Sequence, residues 1–301
     1  MSRKYTAIVN PAACSEKAGK LSQKLKKVAR ETTLELSDSP KSAIQKAAQA
    51  VQRGSEVIIA VGGDGTINEV INGIFGAPVT LGVMPLGTAN VFARQLGIPL
   101  DIQKAWEVIE KGLTRTIDVI KVEYHERDKP QCRYFVQVAG VGLDAYVVKQ
   151  VTWEAKKKWG SLAYIFETFK VLKNHKFSCL SVKIDGSDSR ECAFMLIGNG
   201  VYYGGSFSIF NQALLDDGLI DICLFDSTRF LDLMFYGQAI LRGLQVITDG
   251  MIYRQCRTIE IISPHVVPFE LDGEFIGYSP VKFTVISKAL KIFVPRTREL
   301  S

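Results

Sequence analysis

Two glycine-rich turns in the first third of the sequence have residue types suited to binding a phosphate group. Gly62-Gly63-Asp64-Gly65 follows the apolar run Val57–Val61, and Pro85-Leu86-Gly87-Thr88 follows Thr80–Met84. Glycine lets a backbone turn tightly and bring its N–H groups close to a ligand. The first turn carries no lysine, and it has neither the P-loop pattern GxxxxGK[ST] nor the dinucleotide-binding pattern GxGxxG. Both turns are therefore predicted to hold an anion through main-chain N–H groups.

The first turn also contains an aspartate and leads into a helical pattern. Thr66 and Glu69 have capping-box spacing, so the helix is predicted to start at Thr66, and a helix N-terminus attracts anions. A carboxylate at Asp64 would repel a phosphate. Its presence is explained if magnesium lies between the two, or if Asp64 interacts with a hydroxyl group instead. The alternative is that the glycines form an ordinary βα turn and that Glu69 only caps.

Acidic turns in the second half of the sequence are the other candidates for chemistry. Asp216-Asp217-Gly218 and Asp272-Gly273 each lie between β-rich runs, as does Asp185-Gly186. Asp-Gly is typical of a hairpin turn, and on local sequence alone that is the simpler interpretation of all three. Glu274, directly after the last turn, is then a charge at the edge of a strand.

The elements that must position the first two turns alternate between strand and helix. Strands are predicted over Tyr5–Val9, Val57–Val61 and Thr80–Met84, with a helical pattern after each. The continuous apolar run at Val57–Val61 is typical of a strand covered on both faces. We predict a doubly wound parallel α/β domain. Because Asn10-Pro11 also follows a strand, three turns are expected at the carboxyl edge of one sheet, where such folds bind ligands.

After about Asp118 the pattern changes to short β-rich runs separated by turns. These runs predict a second domain that is mostly antiparallel sheet, a sandwich or a flattened barrel. Helical segments interrupt the runs at about 145–174 and 229–244. The 301 residues of the chain are enough for two domains of ordinary size.

Composition argues against several classes of protein. Hydrophobic residues make up 47% of the chain and charged residues 23%, as in ordinary globular proteins. The six cysteines are scattered without a CxxC pair and the three histidines lack the spacing of zinc ligands, so we expect reduced thiols, a cytoplasmic protein and no zinc. No uncharged apolar run reaches the roughly 18 residues of a membrane span. The net charge of +6 admits anionic partners, but no nucleic-acid-binding motif is present.

Five motifs, taken in order, resemble the diacylglycerol kinase catalytic family. They are GGDGTINEVING, PLGTANVFARQLGIP, GNGVYYGGSF, ALLDDGLID and LDGE, and together they span nearly the whole chain. The chain is most similar to the soluble bacterial lipid kinases, relatives of sphingosine and ceramide kinases. GGDGT alone is weak as a discriminator because NAD kinases and phosphofructokinases carry similar loops. The ordered set of motifs carries the resemblance.

The resemblance implies a fold and an activity. The fold is an NAD kinase-like α/β nucleotide-binding domain over residues 1–118, with 287–301 as a candidate return to it, and an antiparallel β-sandwich over 119–286. The activity is transfer of the γ-phosphate of ATP to a hydroxyl group of diacylglycerol or a related lipid, with magnesium as cofactor. Two alternatives stay open: a kinase for a soluble metabolite such as NAD, and a nucleotide- or lipid-binding regulator without catalysis.

The resemblance also implies catalytic roles for three acidic residues. Glu274 would be the general base that takes the proton of the acceptor hydroxyl. Asp64 and Asp118 resemble the accompanying acidic residues of the family, which would orient Glu274 and the metal. Val91 stands where relatives often have aspartate, which removes one acidic group from the expected site.

The implied ligands of magnesium and ATP lie in separate parts of the sequence. Magnesium would be bound by the carboxylate of Asp217 and the carbonyl groups of Leu214 and Leu219, in keeping with the oxygen ligands that this cation prefers. Ser37 stands where the family usually has threonine, which keeps the hydroxyl group. The implied ATP-binding residues are Asn10, Pro11, Ser37, Gly62, Gly63, Asp64, Gly65, Thr66, Ile67, Asn68 and Thr88.

A lipid kinase must meet a membrane surface, and one segment has a suitable composition. Residues 153–176 interleave lysines with aromatic residues, which suits transient contact with the anionic inner face of a membrane. A solvated amphipathic helix that covers the sheet is the simpler interpretation. The oligomeric state stays open, with a homodimer as one alternative.

Overall fold

The computed structural model describes residues 4–11, 32–151, 171–172, 179–203, 207–229, 231–233, 250–263 and 265–296. The chain divides into two compact units, one of Met1–Asp118 with Lys288–Ser301 and the other of Val119–Ser287. No helix in the described ranges is long and apolar enough to cross a membrane. The lysine- and aromatic-rich segment 153–176 lies outside these ranges except for residues 171–172, so the membrane-contact prediction falls there.

The first unit is a parallel sheet with helices in its connections. Its strands are β1 (Tyr5–Val9), β2 (Thr32–Leu36), β3 (Val57–Gly62), β4 (Thr80–Pro85) and the end of β18 (Val281–Val294). They are ordered β2-β1-β3-β4-β18, and every pairing is parallel. The helices in the described ranges are α1 (Ser42–Gln52), α2 (Asp64–Ile74), α3 (Val91–Gln95) and α4 (Ile102–Lys111). The predicted parallel α/β fold is confirmed.

Burial explains why these segments form a layered sheet. All six residues of β3 are buried, as expected for a central strand covered on both faces. The helix α4 buries Ala105, Trp106 and Ile109, which recur at helical spacing. Asp101 is its N-cap, and the carboxylate of Asp101 accepts hydrogen bonds from the N–H groups of Gln103 and Lys104 at 3.0 and 3.1 Å. Such a cap stabilises a helix by about 1 kcal/mol.

The predicted helix start at Thr66 is wrong, because α2 already begins at Asp64 after an extended Gly63 and no side chain caps it. The carboxylate of Glu69 does cap a helix, but that helix is α1. It accepts hydrogen bonds from the N–H groups of Lys41 and Ala43 at 3.1 and 3.2 Å. The first N–H groups of any helix lack partners within it, and those of α1 lie within reach of Glu69.

The second unit is built from two antiparallel sheets. The first has the order β14-β13-β10-β7-β16-β17. Its strands are β7 (Val138–Val141), β10 (Phe194–Gly198), β13 (Ile220–Phe225), β14 (Met251–Cys256), β16 (Pro268–Leu271) and β17 (Glu274–Tyr278). The other sheet consists of β5 (Leu113–Glu126), β6 (Lys129–Phe135), β8 (Leu180–Ile184), β9 (Asp188–Cys192), β15 (Thr258–Ile261) and the start of β18.

Apolar side chains fill both faces of the six-stranded sheet. On one face, residues of both sheets form a common core that includes Phe135, Phe269 and Phe283. On the other face a smaller core packs beneath helix α5 (Leu143–Gln150) and includes Phe194 and Phe210. This two-sheet core confirms the predicted sandwich. A short hairpin of β11 (Tyr202–Tyr203) and β12 (Phe207–Ser208) completes the described strands.

The three Asp-Gly turns do not all have the predicted form. Asp185-Gly186 joins the paired strands β8 and β9, and Asp272-Gly273 joins β16 and β17, each with positive φ at both residues as in a type I′ turn. The prediction is confirmed for these two. Asp217-Gly218 is not a two-residue hairpin, because β13, which follows it, pairs with β10 and β14.

Candidate active site

The turns after β1, β3 and β4 meet at the carboxyl edge of the parallel sheet in the first unit. The N–H of Asn10 donates to the carbonyl of Val61 at 3.1 Å, and the N–H of Leu86 donates to that of Gly62 at 2.8 Å. These hydrogen bonds lie beyond the last strand residues and fix each turn to its neighbour. The turn after β2 joins them through the N–H of Ser37, which donates to the carbonyl of Val9 at 2.8 Å.

The two glycine turns touch each other through their backbones. A Cβ atom placed on Gly87 would lie 2.5 Å from the Cα of Gly63 and 2.9 Å from Oδ1 of Asn90. The buried amide of Asn90, whose φ is 49°, accepts from the N–H of Gly87 and donates to its carbonyl, both at 2.8 Å. Only glycine allows this approach at position 87, so the second turn is held against the first.

The start of α2 is joined to the turn after β1 through Thr66. This residue is buried, and its hydroxyl oxygen accepts a hydrogen bond from the side-chain amide of Asn10 at 3.0 Å. A Cβ atom on Gly62 would lie 2.5 Å from the same hydroxyl oxygen, which explains the glycine there. Around Gly65, in contrast, a Cβ would meet nothing within 4 Å. An open, glycine-lined helix start of this kind is suited to a phosphate group.

Asp64 lies in the first turn of α2 and contacts the next helix. One of its carboxylate oxygens accepts a hydrogen bond from the N–H of Phe92 at 3.1 Å, so Asp64 caps α3. A main-chain donor at a helix start stabilises the negative charge of the carboxylate. This contact fixes the orientation of Asp64 at the carboxyl edge of the parallel sheet.

The other candidate ATP-binding residues differ in how accessible their side chains are. Ser37 is buried, and its hydroxyl group is hydrogen-bonded to that of Ser42 at 2.8 Å. Ile67 is 1% exposed and belongs to the core, so only its main chain can face a ligand. The amide oxygen of Asn68 accepts from Asn72 at 3.0 Å. Pro11 is half-buried beside Asn10, and Thr88 is exposed at the tip of the second glycine turn.

Asp118 is the last residue of the first stretch of the first unit. It is completely buried, and one carboxylate oxygen accepts a hydrogen bond from the N–H of Lys288 at 2.7 Å. Lys288 has a φ of 52°, so this contact supports an irregular point in the long strand β18. Asp118 therefore has a structural partner of its own.

In the second unit, Glu274 is presented by the hairpin of β16 and β17. It is the first residue of β17, it is exposed, and it pairs across the hairpin with Leu271. The carboxylate of Asp272 accepts hydrogen bonds from the N–H groups of Gln137 and Val138 at 3.2 and 3.0 Å. The N–H of Asp272 in turn donates to the carbonyl of Val138 at 2.8 Å. The turn before Glu274 is therefore anchored to the start of β7.

The candidate magnesium loop offers oxygen ligands only. The carboxylate of Asp217 is exposed and accepts from the N–H of Leu219 at 2.9 Å, and Gly218 turns the chain with a φ of 75°. Leu214 is also exposed. Carbonyl and carboxylate oxygens suit a hard cation, so the residues present fit magnesium. The described part of the chain has no cluster of three His, Cys, Asp or Glu side chains that would hold a metal by itself.

Strand β13, which follows this loop, contains the buried carboxyl group of Asp221. Burial raises the pKa of Asp221 to about 6, and the hydroxyl of Tyr253 and the amide of Gln255 partly offset this by donating to the carboxylate. Below that pH the group is neutral, and its desolvation then costs less.

Three residues with strong interactions were not singled out in the sequence: Asp144, Tyr203 and Glu270. Glu270 is a buried glutamate in the otherwise apolar strand β16. Burial raises the pKa of Glu270 well above its usual range, and the nearby carboxylate of Asp144 raises it further. A charged residue inside an apolar strand pattern was the available signal, but the sequence does not reveal its partner.

Comparison with known proteins places both units in described families. Residues 4–122 match the diacylglycerol kinase catalytic domain, and residues 137–294 match the YegS C-terminal NAD kinase beta sandwich-like domain. A diacylglycerol kinase of Bacillus subtilis (strain 168) is 29% identical over 282 residues, which cover 92% of this chain and 90% of that protein. A diacylglycerol kinase of Staphylococcus aureus (strain bovine RF122 / ET3-1) is 30% identical over 275 residues, which cover 90% of this chain and 85% of that protein.

Solved structures share the fold. The crystal structure of a diacylglycerol kinase from Bacillus anthracis aligns with a TM-score of 0.72 at 21% identity, covering 98% of this chain and 97% of that one. The structure of yeast NADH kinase in complex with NADH aligns with a TM-score of 0.51 at 12% identity, covering 99% of this chain and 85% of that one. At these identities the likeness concerns the fold alone.

Proposed function

This chain belongs to the diacylglycerol kinase family, and from this premise we propose that it transfers the γ-phosphate of ATP to a hydroxyl group of diacylglycerol or a related lipid. The geometric observation that carries the proposal is the hairpin that presents Glu274. An exposed carboxylate on a turn anchored at Asp272 is suited to receive a proton from a substrate hydroxyl.

ATP is assigned to the carboxyl edge of the parallel sheet. The contact between Gly63 and Gly87 holds the two turns together. The N–H groups of Leu86 and Gly87 are used within the protein, so we assign the phosphate oxygens to main-chain N–H groups of the first turn. The start of α2 adds the positive end of a helix dipole beside them. These features replace the lysine that a P-loop would use. Asn10, Ser37 and Thr88 are the candidate polar contacts to the rest of the nucleotide.

The proposed reaction moves one phosphoryl group and one proton. The acceptor oxygen forms a bond to the γ-phosphorus as the bond to the leaving ADP oxygen breaks, and Glu274 accepts the hydroxyl proton. Asp64 and Asp118 are the candidate acidic residues that support this step. Asp217 and the carbonyl groups of Leu214 and Leu219 would hold magnesium, which would supply the neutralisation of negative charge that phosphoryl transfer requires.

The test is a transfer assay with purified protein. Labelled ATP, magnesium and mixed vesicles that contain diacylglycerol are incubated with the protein, and label is counted in the extracted lipid. We expect a labelled lipid, which mass spectrometry identifies, and no label transfer after divalent cations are chelated. Absence of label from every lipid class tested would reject the proposal.

The fold shared with yeast NADH kinase keeps a soluble acceptor as the second candidate. Transfer of label to NAD in the absence of vesicles would favour that candidate over a lipid kinase. If ATP binds but no acceptor is phosphorylated, a regulatory nucleotide-binding protein becomes the better description.

A further inference from the structure

Two carboxyl groups meet inside the second unit, directly beneath the hairpin that presents Glu274. Glu270 lies on β16 between Phe269 and Leu271, whose side chains belong to the sandwich core. Because side chains alternate along a strand, Glu270 faces the opposite side, where α5 packs. It is only 2% exposed, and its register partner on β7 is Gly140.

The partner carboxyl group is Asp144, in the first turn of α5. A Cβ atom on Gly140 would lie 2.1 Å from a carboxylate oxygen of Asp144, so the glycine leaves the space that this carboxylate fills. Gly140 is the register partner of Glu270, so the carboxylate of Asp144 lies beside that of Glu270, and the two carboxyl groups interact. The hydroxyl group of Tyr203 donates a hydrogen bond to Asp144.

A hydrogen bond between two carboxyl groups requires one proton. Burial and the charge of Asp144 raise the pKa of Glu270 well above its usual range. Burial also raises the pKa of Asp144, but hydrogen bonds from Tyr203 and Glu270 offset part of that rise. One proton therefore belongs to the pair, and Glu270, whose pKa rises well above its usual range, is the favoured site for it.

Few other charges act on this pair. The further titratable groups that face it are Tyr203 on β11 and Asp272 in the turn, whose negative charge also favours a protonated Glu270. Lys149, the basic residue in the last turn of α5, donates to the hydroxyl of Tyr278 at 2.7 Å. No lysine or arginine of the described ranges forms an ion pair with either carboxyl group.

The pair is linked to the hairpin through one main-chain hydrogen bond. The N–H of Gly273 donates to the second oxygen of Glu270 at 2.7 Å. Gly273 immediately precedes Glu274, and its neighbour Asp272 is fixed to β7. The far end of β17 is held to α5 through Tyr278 and Lys149. Glu270 is thus the contact that fixes the second residue of the turn.

We propose that Asp144 and Glu270 share one proton, and that this proton holds the turn at Gly273 in the conformation that presents Glu274. Both are positioning residues, and their role in catalysis rests on the proposed function of Glu274. When the shared proton is lost, two adjacent negative charges repel each other, and the carboxylate of Glu270 moves away from Asp144 together with the turn. The order of the hairpin and the rate of phosphoryl transfer then fall over the same range of rising pH.

Thermal unfolding tests the shared proton without any enzymatic assay. Unfolded glutamate releases its proton at about pH 4.3, whereas folded Glu270 still keeps its proton above that pH. Stability from this proton is therefore complete below the unfolded pKa and is lost as the pH rises toward the folded pKa. The unfolding midpoint of the wild type should fall by several degrees relative to that of Glu270→Gln as the pH rises above the unfolded pKa, until the folded group has also lost its proton. The exposed control Glu126→Gln should follow the wild type, and parallel curves for wild type and Glu270→Gln would overturn the shared proton.

Hydrogen exchange and kinetics test the link to the hairpin. Glutamine keeps a donor for Asp144 and an acceptor for Gly273, so amide protection over 272–278 should persist as the pH rises in Glu270→Gln and decrease in the wild type. The kcat of Glu270→Gln should fall less steeply with rising pH than that of the wild type. Equal loss of amide protection in both proteins would show that the shared proton does not hold the turn at Gly273. If neither protein phosphorylates any lipid, the proposed function fails, while the unfolding and exchange results still decide on the proton.

Discussion

At the scale of single residues, Glu274 is an exposed carboxylate on a turn whose main chain is held in place. It is exposed, but the peptide groups of the two residues before it are fixed, one by Val138 and the other by Glu270. Because hydrogen bonds fix the two peptide groups before Glu274, its main chain loses little conformational freedom when a substrate binds. This setting favours Glu274 as a proton acceptor over an exposed carboxylate on a loosely held loop.

Replacement of Glu274 by glutamine tests that role directly. The amide cannot accept the hydroxyl proton, so kcat for lipid phosphorylation should fall by about 10²–10⁴-fold, the usual contribution of general base catalysis. The KM for ATP should change little, because the candidate ATP-binding residues lie in the first unit. Glu126→Gln removes a charge from an exposed strand end of the second unit and should retain wild-type kcat. A Glu274→Gln enzyme with wild-type kcat would show that another group accepts the proton.

Gly87 is the second residue at which geometry makes a clear prediction. The Cβ of Gly87→Ala would come within 2.5 Å of the Cα of Gly63, and a clash with backbone cannot be relieved by a side-chain rotation. The two turns must separate, which should cost about 1–3 kcal/mol of stability and raise the KM for ATP. Urea unfolding and steady-state kinetics measure the two effects.

The matched control is Gly65→Ala, where a Cβ would meet no atom within 4 Å. Alanine in helix α2 should leave the stability unchanged or raise it by up to about 1 kcal/mol. If Gly87→Ala and Gly65→Ala unfold at the same urea concentration, the contact between the two turns is not needed for stability.

At the scale of elements, the helices of the first unit support one another at their ends. Glu69 on α2 caps α1, and Asp64 on α2 caps α3. Glu69→Ala removes the acceptor of two main-chain N–H groups and should lower the free energy of unfolding by about 1 kcal/mol. Glu107→Ala, an exposed glutamate on α4, makes the same change of helix propensity without a cap and should be nearly neutral. Equal effects in urea unfolding would show that the cap contributes nothing.

The contacts of Glu69 and Glu270 show where sequence information ends. The apolar run from Val57 predicted β3 because a strand buried on both faces needs continuous apolar residues. The spacing of Thr66 and Glu69 predicted a cap, but a carboxylate on a helix surface can reach its own helix start or a neighbouring one. Only the packing of α1 against α2 decides between them. The contact of Glu270 with Asp144 depends in the same way on the pairing of β7 with β16 and the position of α5.

In the candidate site, too, some features could be predicted from the residues and others could not. The turns after parallel strands were expected at one sheet edge, and the hydrogen bonds at Asn10 and Leu86 place them there. The roles of Asp64, Asp118 and Glu274 came from the resemblance to a family, because an isolated carboxylate carries no sequence signal for its reaction. Those roles stay predictions, and the variants above test them.

At the scale of the whole molecule, the proposal assigns nucleotide binding and proton transfer to different units. All the candidate ATP-binding residues belong to the first unit, whereas Glu274 and Asp217 belong to the second. Binding of ATP and transfer of its phosphate should therefore respond to different substitutions. Because a ligand stabilises the state that binds it, thermal unfolding with and without ATP reports binding alone.

We expect ATP with magnesium to raise the unfolding midpoint of the wild type and of Glu274→Gln equally, since this substitution leaves the sheet edge of the first unit intact. At an ATP concentration of about 100 times Kd the stabilisation is about 2.7 kcal/mol. Gly87→Ala should show a smaller shift, because its two turns no longer hold each other in place. A Glu274→Gln protein that loses the ATP-induced shift would mean that the second unit takes part in nucleotide binding, and the loss of kcat in that variant could then no longer be assigned to proton transfer alone.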